Sequence, residues 1–235
     1  MSKEDALFRL AYSVGFFMGD GCLSAYPDSK SGKIYHSVRF GKPDCNVLER
    51  VRDQIKDVFG KEYRVRARIL KSGMQYYVMD VYSKDIFDFF AVNTCMKAAL
   101  PQEYFSAPEE IRREVLRGLF DSDGHVAEFM DGSIHRWQVG FSNTNLPLVQ
   151  TVASMMQRIG VKVGVISEMK KTGYRICYGV KPNIRSFIDA GLFFYSRRRQ
   201  DKIDRYLAHM CAPETAPAAP VTSGEDTVHQ IVKAV

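Results

Sequence analysis

The fold is decided by two stretches of sequence, GFFMGDG at residues 15–21 and GLFDSDG at residues 118–124. Each ends an apolar helical pattern with an aspartate, Asp20 or Asp123, and a glycine of the kind that terminates helices follows. The C-terminal end of a helix carries partial negative charge, which disfavours a carboxylate there. We therefore interpret both carboxylates as functional groups, and divalent-metal binding is the use that their chemistry favours.

Small residues recur four positions apart in both stretches, at Gly15 and Gly19 in the first and at Gly118 and Ser122 in the second. Such residues allow two helices to approach closely. If the helices pack side by side in parallel, the two aspartates lie next to each other at a common end. A plainer interpretation is that these are ordinary buried helices whose Gly-Asp-Gly ends are turns. The presence of two matched copies favours the functional interpretation.

The similarity between the two halves continues after these stretches. Residues 38–42 (VRFGK) parallel residues 139–143 (VGFSN), and residues 71–76 parallel residues 171–176. The offset between the halves falls from 103 to 101 and then to 100 residues, as short loop deletions would cause. The chain is therefore predicted to be two copies of one unit. Each unit is predicted to be α+β, in the order helix, strand, strand, helix, strand, strand, helix.

We predict four segments along the chain. A first unit spans residues 1–90, a linker residues 91–106, a second unit residues 107–210 and a C-terminal tail residues 211–235. The tail is rich in alanine and proline, a composition typical of flexible linkers.

Several helix boundaries can be predicted from local sequence. The first helix is expected to begin at Ser2, and Ser106 with Glu109 predicts an N-terminal capping box for the opening helix of the second unit. Amphipathic helices are expected at residues 46–59 and 145–159.

One strand of the first unit alternates basic and apolar residues. This alternation is typical of a half-buried strand, here with a cationic outer face. The strand is predicted to present Arg64, Arg66 and Arg68 on one side and Val65, Ala67 and Ile69 on the other.

The composition indicates a polyanionic partner and no membrane span. The net charge is +6 and the isoelectric point about 9.0, and 46% of the residues are hydrophobic, enough for a core in each unit. The five cysteines form no Cys-x-x-Cys pair, so we interpret them as free thiols of a reducing compartment. No signal peptide or long apolar run is evident, and we expect a soluble intracellular protein of the cytoplasm, nucleoid or an organelle matrix.

The two motifs, SVGFFMGDG at residues 13–21 and LRGLFDSDG at residues 116–124, resemble the signature helices of a single-chain LAGLIDADG homing endonuclease. The resemblance extends over about residues 6–208. It implies paired helices at the centre of a pseudo-twofold molecule, with two saddle-shaped antiparallel sheets that straddle a long DNA site. It also implies that Asp20 and Asp123 bind the catalytic divalent metals. The chain departs from the family pattern at Met18, where the family often has an acid.

The resemblance extends to further site residues. Lys42 and Asn143 fall where the family has polar residues near the scissile phosphates. The family also often has a basic residue near the end of each unit, and the candidates are Lys97 in the first unit and Arg198 in the second. Arg197 and Arg199 are close alternatives to Arg198. The basic run at residues 197–199 is equally well interpreted as a solvated helix start or a phosphate-contacting patch.

DNA recognition is expected on the outward faces of the strands. Arginine pairs bidentately with guanine and glutamine with adenine, whereas lysine in loops more often contacts phosphate. Because the two units differ in these residues, the target should be asymmetric. The predicted DNA-binding residues of the first unit are Ser24, Tyr26, Lys33, Tyr35, Ser37, Arg39, Arg64, Arg66, Arg68, Gln75 and Tyr77, and those of the second are Phe129, Arg136, Gln138, Lys170, Lys171 and Arg175.

The resemblance implies a monomeric, site-specific endonuclease that cuts both strands of double-stranded DNA. Mg²⁺ is the expected cofactor, with Mn²⁺ or Ca²⁺ able to replace it for binding. The alternative is an intron maturase, which would also bind RNA, or a non-cleaving DNA-binding protein on the same scaffold. Pro27-Asp28 and Pro43-Asp44 are reminiscent of a PD-(D/E)xK nuclease, but neither is followed by an acid-x-Lys at strand spacing.

Overall fold

The computed structural model describes residues 1–29, 31–170 and 176–211. The first unit contains eight elements in chain order: α1 (Lys3–Arg9), α2 (Ala11–Asp20), β1 (Cys22–Pro27), β2 (Ile34–Lys42), α3 (Cys45–Phe59), β3 (Arg66–Ile69), β4 (Gln75–Tyr82) and α4 (Lys84–Asn93). A short helix follows, and the second unit then repeats the pattern: α5 (Glu103–Ser106), α6 (Glu109–Asp123), β5 (Gly124–Asp131), β6 (Ile134–Asn143), α7 (Leu146–Arg158), β7 (Ser167–Lys170), β8 (Ile176–Val180), α8 (Ile184–Asp189) and α9 (Arg197–Cys211).

Each unit forms one four-stranded antiparallel sheet. The strand orders are β1-β2-β4-β3 and β5-β6-β8-β7, so the two sheets have the same topology. Their registers also match, because Phe40 of β2 pairs with Met79 and the equivalent Phe141 of β6 pairs with Val180. The predicted α+β fold of two pseudo-symmetric units is confirmed.

The core of each unit is built around the same three aromatic rings, which lie between the sheet and the helices that cover one of its faces. All six rings are fully buried. The rings are Phe17, Phe40 and Phe90 in the first unit and Phe120, Phe141 and Phe187 in the second.

The helices α2 and α6 pack against each other in parallel at the centre of the molecule. A Cβ atom on Gly15 would lie 2.1 Å from the backbone oxygen of Val115, and one on Gly19 would lie 2.3 Å from Ser122 Oγ. Residues later in α2 contact residues later in α6, so the two helices run parallel. The predicted groove of small residues therefore forms the contact between the two units.

Glycine follows both motif aspartates for a reason other than the predicted one. Gly21 and Gly124 have φ of −75° and −79° in extended backbone, not the left-handed conformation of a helix C-cap glycine. A Cβ atom on Gly21 would lie 2.1 Å from the ring of Phe17, and one on Gly124 would lie 2.4 Å from Phe120 O. Close packing under the first strand, and not backbone conformation, excludes a side chain here.

The predicted helix starts had mixed outcomes. Ser2 caps α1 as predicted, since its side chain accepts a hydrogen bond from the Asp5 N–H, and Asn145 caps α7 in the same way. The capping box at Ser106 is wrong. Ser106 is the last residue of α5, and its hydroxyl donates to Glu103 O, so that α6 begins only at Glu109.

The segment between the units contains ordered structure. Helix α4 continues to Asn93, beyond the predicted end of the first unit, and three residues with positive φ follow, Cys95 (47°), Met96 (56°) and Lys97 (74°). Tyr104 of α5 is buried and donates to Leu7 O at 2.8 Å, which ties the segment to α1. The four predicted segment boundaries stay predictions, and residues 212–235 of the predicted tail lie outside the described residues.

Candidate functional site

The two motif aspartates lie side by side where α2 and α6 end. Asp20 is the last residue of α2 and Asp123 the last of α6. A Cβ atom on Gly19 would lie only 2.8 Å from Asp123 Oδ2, so the end of one helix abuts the carboxylate of the other. The close approach of the helices thus brings two carboxylates from different units to one place.

Each carboxylate has a side-chain partner from the end of the second strand of its own unit. Lys42 at the end of β2 forms an ion pair with Asp20, and its Nζ also donates to Ser122 O at 2.6 Å. Asn143 at the end of β6 donates to Asp123 Oδ2 at 2.5 Å. The register makes Lys42 and Asn143 equivalent, so the two halves of the site are alike in geometry and different in charge.

The pKa of Asp123 is raised above its ordinary value, chiefly because burial penalises the ionised form. The hydrogen bond from Asn143 opposes this shift, the neighbouring Asp20 adds to it, and the cations Lys42 and Lys97 oppose it. Two carboxylates in a partly buried place therefore repel each other, and an additional cation at this position would be stabilising.

Lys97 counters the negative end of α2. Its Nζ donates to Gly19 O and Gly21 O, both at 2.8 Å. Burial lowers the pKa of Lys97, whereas the nearby Asp123 and Asp20 raise it. An ammonium group at these carbonyls compensates for a carboxylate at the wrong end of the helix dipole.

Arg199 counters the negative end of α6. Its Nη1 donates to Asp121 O at 2.5 Å, and burial lowers the pKa of the guanidinium group. Arg197 and Arg198 are exposed at the start of α9. Of the three arginines, the structure brings Arg199, and not the preferred candidate Arg198, to the second motif.

Asp121 is fully buried and fixes the segment that precedes Arg199. It accepts hydrogen bonds from Tyr12 Oη at 2.9 Å, from the Tyr195 N–H at 2.9 Å and from the Ser196 N–H at 3.1 Å. Burial raises its pKa to about 6, against the effect of these hydrogen bonds. The equivalent position of the first motif is the buried Met18, so this arrangement exists in one unit only.

The outer face of the first sheet carries most of the predicted DNA-binding residues. Strand pairing places Ser24 opposite Ser37 and Tyr26 opposite Tyr35. The rings of Tyr26 and Tyr35 are stacked, with their centroids 6.0 Å apart. Arg39 shares this face, and Lys33 is exposed in the loop before β2. The core-facing residues of β2, such as Val38 and Phe40, alternate with these, so the face points away from the helices.

Two predicted placements on this sheet are wrong. Tyr77 pairs with Lys42 and Ala67 and packs against the core, and Gln75, two residues earlier, has the same orientation. Tyr76 takes the outer position instead, next to Gly41. The cause is a shift of one residue in β4 relative to the prediction, which exchanges the two faces of a strand.

The arginine-rich strand is shorter and more exposed than predicted. Arg66 and Arg68 lie in β3 on the outer face, but Arg64 precedes the strand. Ala67 and Ile69 on the other side are exposed, because β3 is an edge strand beyond the covering helices. The apolar side of the alternation is therefore half-buried only at Val65.

The second sheet has a similar outer face. Phe129 pairs with Arg136, and Gln138 lies on the same side, as predicted. His125, which sequence reasoning missed, also lies on this face with its ring against Gly140. Burial and the cations around it lower the pKa of His125. Of the remaining predicted residues, Lys171 and Arg175, together with the side chain of Lys170, lie outside the described residues.

The described residues place limits on other kinds of site. Among them, no three His, Cys, Asp or Glu side chains gather into a group that could hold a metal by itself. No helix in the described part of the chain combines the length and apolarity needed to cross a membrane. All five cysteines lie within it and are free thiols, as predicted.

Residues 110–209 match the family model of the LAGLIDADG-like domain. The second unit is a LAGLIDADG-like domain. The first unit repeats its element order and sheet topology, and α2 occupies the position that α6 has in the second unit.

Solved structures show the same fold over most of the chain. The homing endonuclease I-DmoI is similar with a TM-score of 0.55 and 16% identity, over 80% of this chain and 94% of that one. The LAGLIDADG homing endonuclease I-GzeII, in complex with a DNA target, has a TM-score of 0.55 and 12% identity, with 85% and 89% covered. DUF199/WhiA from Thermatoga maritima has a TM-score of 0.52 and 15% identity, with 92% of this chain and 63% of that one covered.

Relatives by sequence are distant. An uncharacterized protein of Methanocaldococcus jannaschii is 22% identical over 172 residues, which are 70% of this chain and 60% of that protein. The glutamine–fructose-6-phosphate aminotransferase (isomerizing) of the same organism is 22% identical over 159 residues, which are 65% of this chain and 13% of that enzyme. The chain thus spans less than two thirds of these relatives.

Proposed function

We propose that this chain is a site-specific endonuclease that cuts both strands of DNA with the help of a divalent metal. The observation that carries the proposal is the placement of Asp20 and Asp123 side by side at the ends of the two LAGLIDADG helices. The fold of I-DmoI, a structure of which contains its target DNA in the presence of Mg²⁺, supports it. Two carboxylates, one from each unit, suit two scissile bonds, one on each strand.

The residues of the site fit a divalent cation. Asp20 and Asp123 would hold it, and their oxygen atoms are the hard donors that Mg²⁺, Mn²⁺ and Ca²⁺ prefer. Burial and the neighbouring carboxylate raise the pKa of Asp123, so a dication between the two acids would offset their repulsion. Two protein carboxylates leave further coordination positions to water and to DNA phosphate, the usual arrangement for Mg²⁺. When bound, such an ion activates water and neutralises the leaving oxygen of the phosphodiester.

The side chains of this site support the chemistry in different ways. Lys42 and Asn143 hold the two carboxylates in place through their hydrogen bonds, and each is proposed to lie near the scissile phosphate of one strand. Lys97 and Arg199 neutralise the carbonyl ends of the helices and add positive charge beneath the phosphate backbone. Because Lys42 is cationic and Asn143 neutral, we expect the two strands to be cut at different rates.

Specificity is assigned to the outer faces of the two sheets. Arg39, Arg66 and Arg68 are suited to guanine in the major groove, and Gln138 to adenine. The residues of the first face are not repeated on the second, so the proposed target is asymmetric. One chain supplies both carboxylates and both faces, and a monomer is therefore the proposed active form.

A non-cleaving DNA-binding protein or maturase is the second candidate. It is favoured by the ion pair between Lys42 and Asp20, since an ammonium group beside the first carboxylate can neutralise it without a metal. The similarity to DUF199/WhiA over 92% of this chain shows that the fold is not confined to structures named as endonucleases.

The proposal is tested by selecting cleaved molecules from a randomised duplex DNA pool in Mg²⁺, with EDTA as the control. Enrichment of one asymmetric sequence, cut on both strands only in Mg²⁺, is the expected result. Retention of a specific sequence without cutting would replace the endonuclease with the second candidate. If no sequence is retained or cut, both assignments are wrong.

A further inference from the structure

Asp80 lies in the middle of the outer face of the first sheet, beneath two arginines. Arg39 Nε donates to Asp80 Oδ1 at 2.6 Å, and Arg68 Nη2 lies 3.6 Å from Asp80 Oδ2. The side chain of Asp80 is 6% exposed, whereas those of Arg39 and Arg68 are 55% and 51% exposed. One carboxylate therefore joins β2, β4 and β3 through two guanidinium groups that cover it.

The geometry leaves the arginines able to bind a further partner. Arg39 uses Nε on Asp80, and its terminal nitrogens Nη1 and Nη2 have no hydrogen-bond partner among the described residues. Those two nitrogens can form the bidentate pair with O6 and N7 of guanine. A guanidinium group held by Nε loses less conformational freedom on binding than an unrestrained one.

A carboxylate on this face weakens DNA binding unless it contributes to recognition. The chain has a net charge of +6, and any acidic group close to a DNA backbone repels phosphate. The second sheet has no equivalent group. Phe40–Met79 and Phe141–Val180 are equivalent pairs, so that Gly140 and Lys181, the residue after β8, correspond by register to Arg39 and Asp80. Among the described residues, the arginine–aspartate–arginine group is thus a feature of the first sheet.

We propose that Asp80 is a positioning residue for DNA recognition, which fixes Arg39 and Arg68 so that they read bases in one half of the target. The inference rests on the proposed DNA-binding function and names the group that sets part of its specificity. It predicts two opposite changes when Asp80 is removed: base preference falls because the arginines become mobile, and non-specific affinity rises because a negative charge leaves the surface. A purely structural role would leave base preference unchanged in a folded variant, whereas the rise in non-specific affinity follows from the lost charge alone.

The test is selection of bound sequences from a randomised duplex library in Ca²⁺, followed by affinity measurements on the selected duplex and its single-base variants. The proteins are wild type, Asp80→Ala, Asp80→Asn, Arg39→Ala and the double variant Asp80→Ala/Arg39→Ala. Asp189→Ala is the matched control, because Asp189 pairs with Arg185 in an exposed ion pair on α8 and its loss changes the net charge equally.

We expect Asp80→Ala to lose about 5- to 150-fold of base discrimination at one or two base pairs, the range of one bidentate contact. Arg39→Ala should lose discrimination at one of the same base pairs, and the loss in the double variant should be smaller than the sum of the losses in the two single variants. Affinity for unrelated duplex should rise in Asp80→Ala and also in Asp189→Ala by less, since the latter charge lies away from the face. If Asp80→Ala does not fold, Asp80→Asn, which keeps the shape of the side chain, should show the same loss of base discrimination.

The inference is overturned if both Asp80 variants select the wild-type sequence with unchanged discrimination, or if the losses from Asp80 and Arg39 are additive. That result would leave the DNA-binding function intact, because the wild-type protein would still select a sequence. Failure of the wild-type protein to select any sequence would instead remove the proposed function itself.

Discussion

Replacing Gly118 with alanine should destabilise the protein, although alanine is the better helix former. A Cβ atom at this position would lie 2.1 Å from Tyr12 O and 2.7 Å from Phe16 N. Both are backbone atoms of α2, so no side-chain rotation relieves the overlap, and α2 and α6 must separate by roughly 1 Å to restore an ordinary contact. Such overpacking costs about 3 kcal/mol.

The higher helix propensity of alanine offsets about 1 kcal/mol of this cost, which leaves a net loss of about 2 kcal/mol. For a chain of this size the expected fall in melting temperature is about 4–8 °C. Thermal and urea unfolding of Gly118→Ala measure it, with Gly164→Ala as the control, since a Cβ atom on Gly164 would meet only Lys181 O at 3.2 Å. A melting temperature equal to or above that of the wild-type protein would show that α2 and α6 are not in close contact.

Three further predictions follow from the same helices and their partners. Gly19→Ala should destabilise by overlap with Ser122, and Ser122→Gly in the same chain should restore most of the lost stability in urea unfolding, because the clash is with that side chain. The folded-state pKa of Asp121 is about 6 and its ordinary value is 3.8. Folding favours the protonated form of Asp121, so its contribution to the free energy of unfolding is present below pH 3.8 and is lost as pH rises through 6. Compared with Asp121→Asn, the free energy of unfolding of the wild-type protein should fall by up to about 3 kcal/mol between pH 4 and pH 7. A difference between the two proteins that does not change with pH would contradict this. Lys42→Met and Asn143→Ala should each accumulate nicked DNA in a cleavage time course, with opposite strands cut first; identical nicking in both would exclude separate roles for the two halves.

Much of the fold could be predicted because the sequence repeats. The two motifs, their small residues and the matched strands after them indicate two equal units whose helices meet. The structure has the predicted order in both units, except that the opening helix of the first is divided into α1 and α2 and a further helix, α9, ends the second. Predictions of a helix boundary or of the face of a strand failed where contacts with other elements decide the outcome. Ser106 has the pattern of a helix cap, but α5 uses it as its last residue. Tyr76 and Tyr77 are adjacent aromatic residues, and only the register with β2 decides which one faces outward.

Less of the candidate site than of the fold could be predicted from the sequence. Asp20, Asp123, Lys42 and Asn143 could be identified as pairs at repeated positions, and the structure brings them together, while their roles stay predictions. Asp80 could not be found in this way, since it has no counterpart in the second unit and its importance depends on arginines from two other strands.

The same reason applies to Asp121, whose partners come from residues about 75 and 109 positions away in the chain. Arg199 is one of three consecutive arginines, and only the direction in which α9 begins selects it over Arg198. Long-range contacts of this kind leave no periodic signal in the sequence.

The central claim is tested most directly by Mg²⁺-dependent cleavage of a plasmid that carries the selected target, with the wild-type protein, Asp20→Asn and Asp123→Asn compared at equal bound fraction. Both variants should fold and bind the target, since removing a negative charge from a helix C-terminus is stabilising by roughly 0.3–1 kcal/mol. We predict that the wild-type protein linearises the plasmid and that neither variant does. Linearisation at the wild-type rate by either variant would contradict the assignment of these two carboxylates as the catalytic centre.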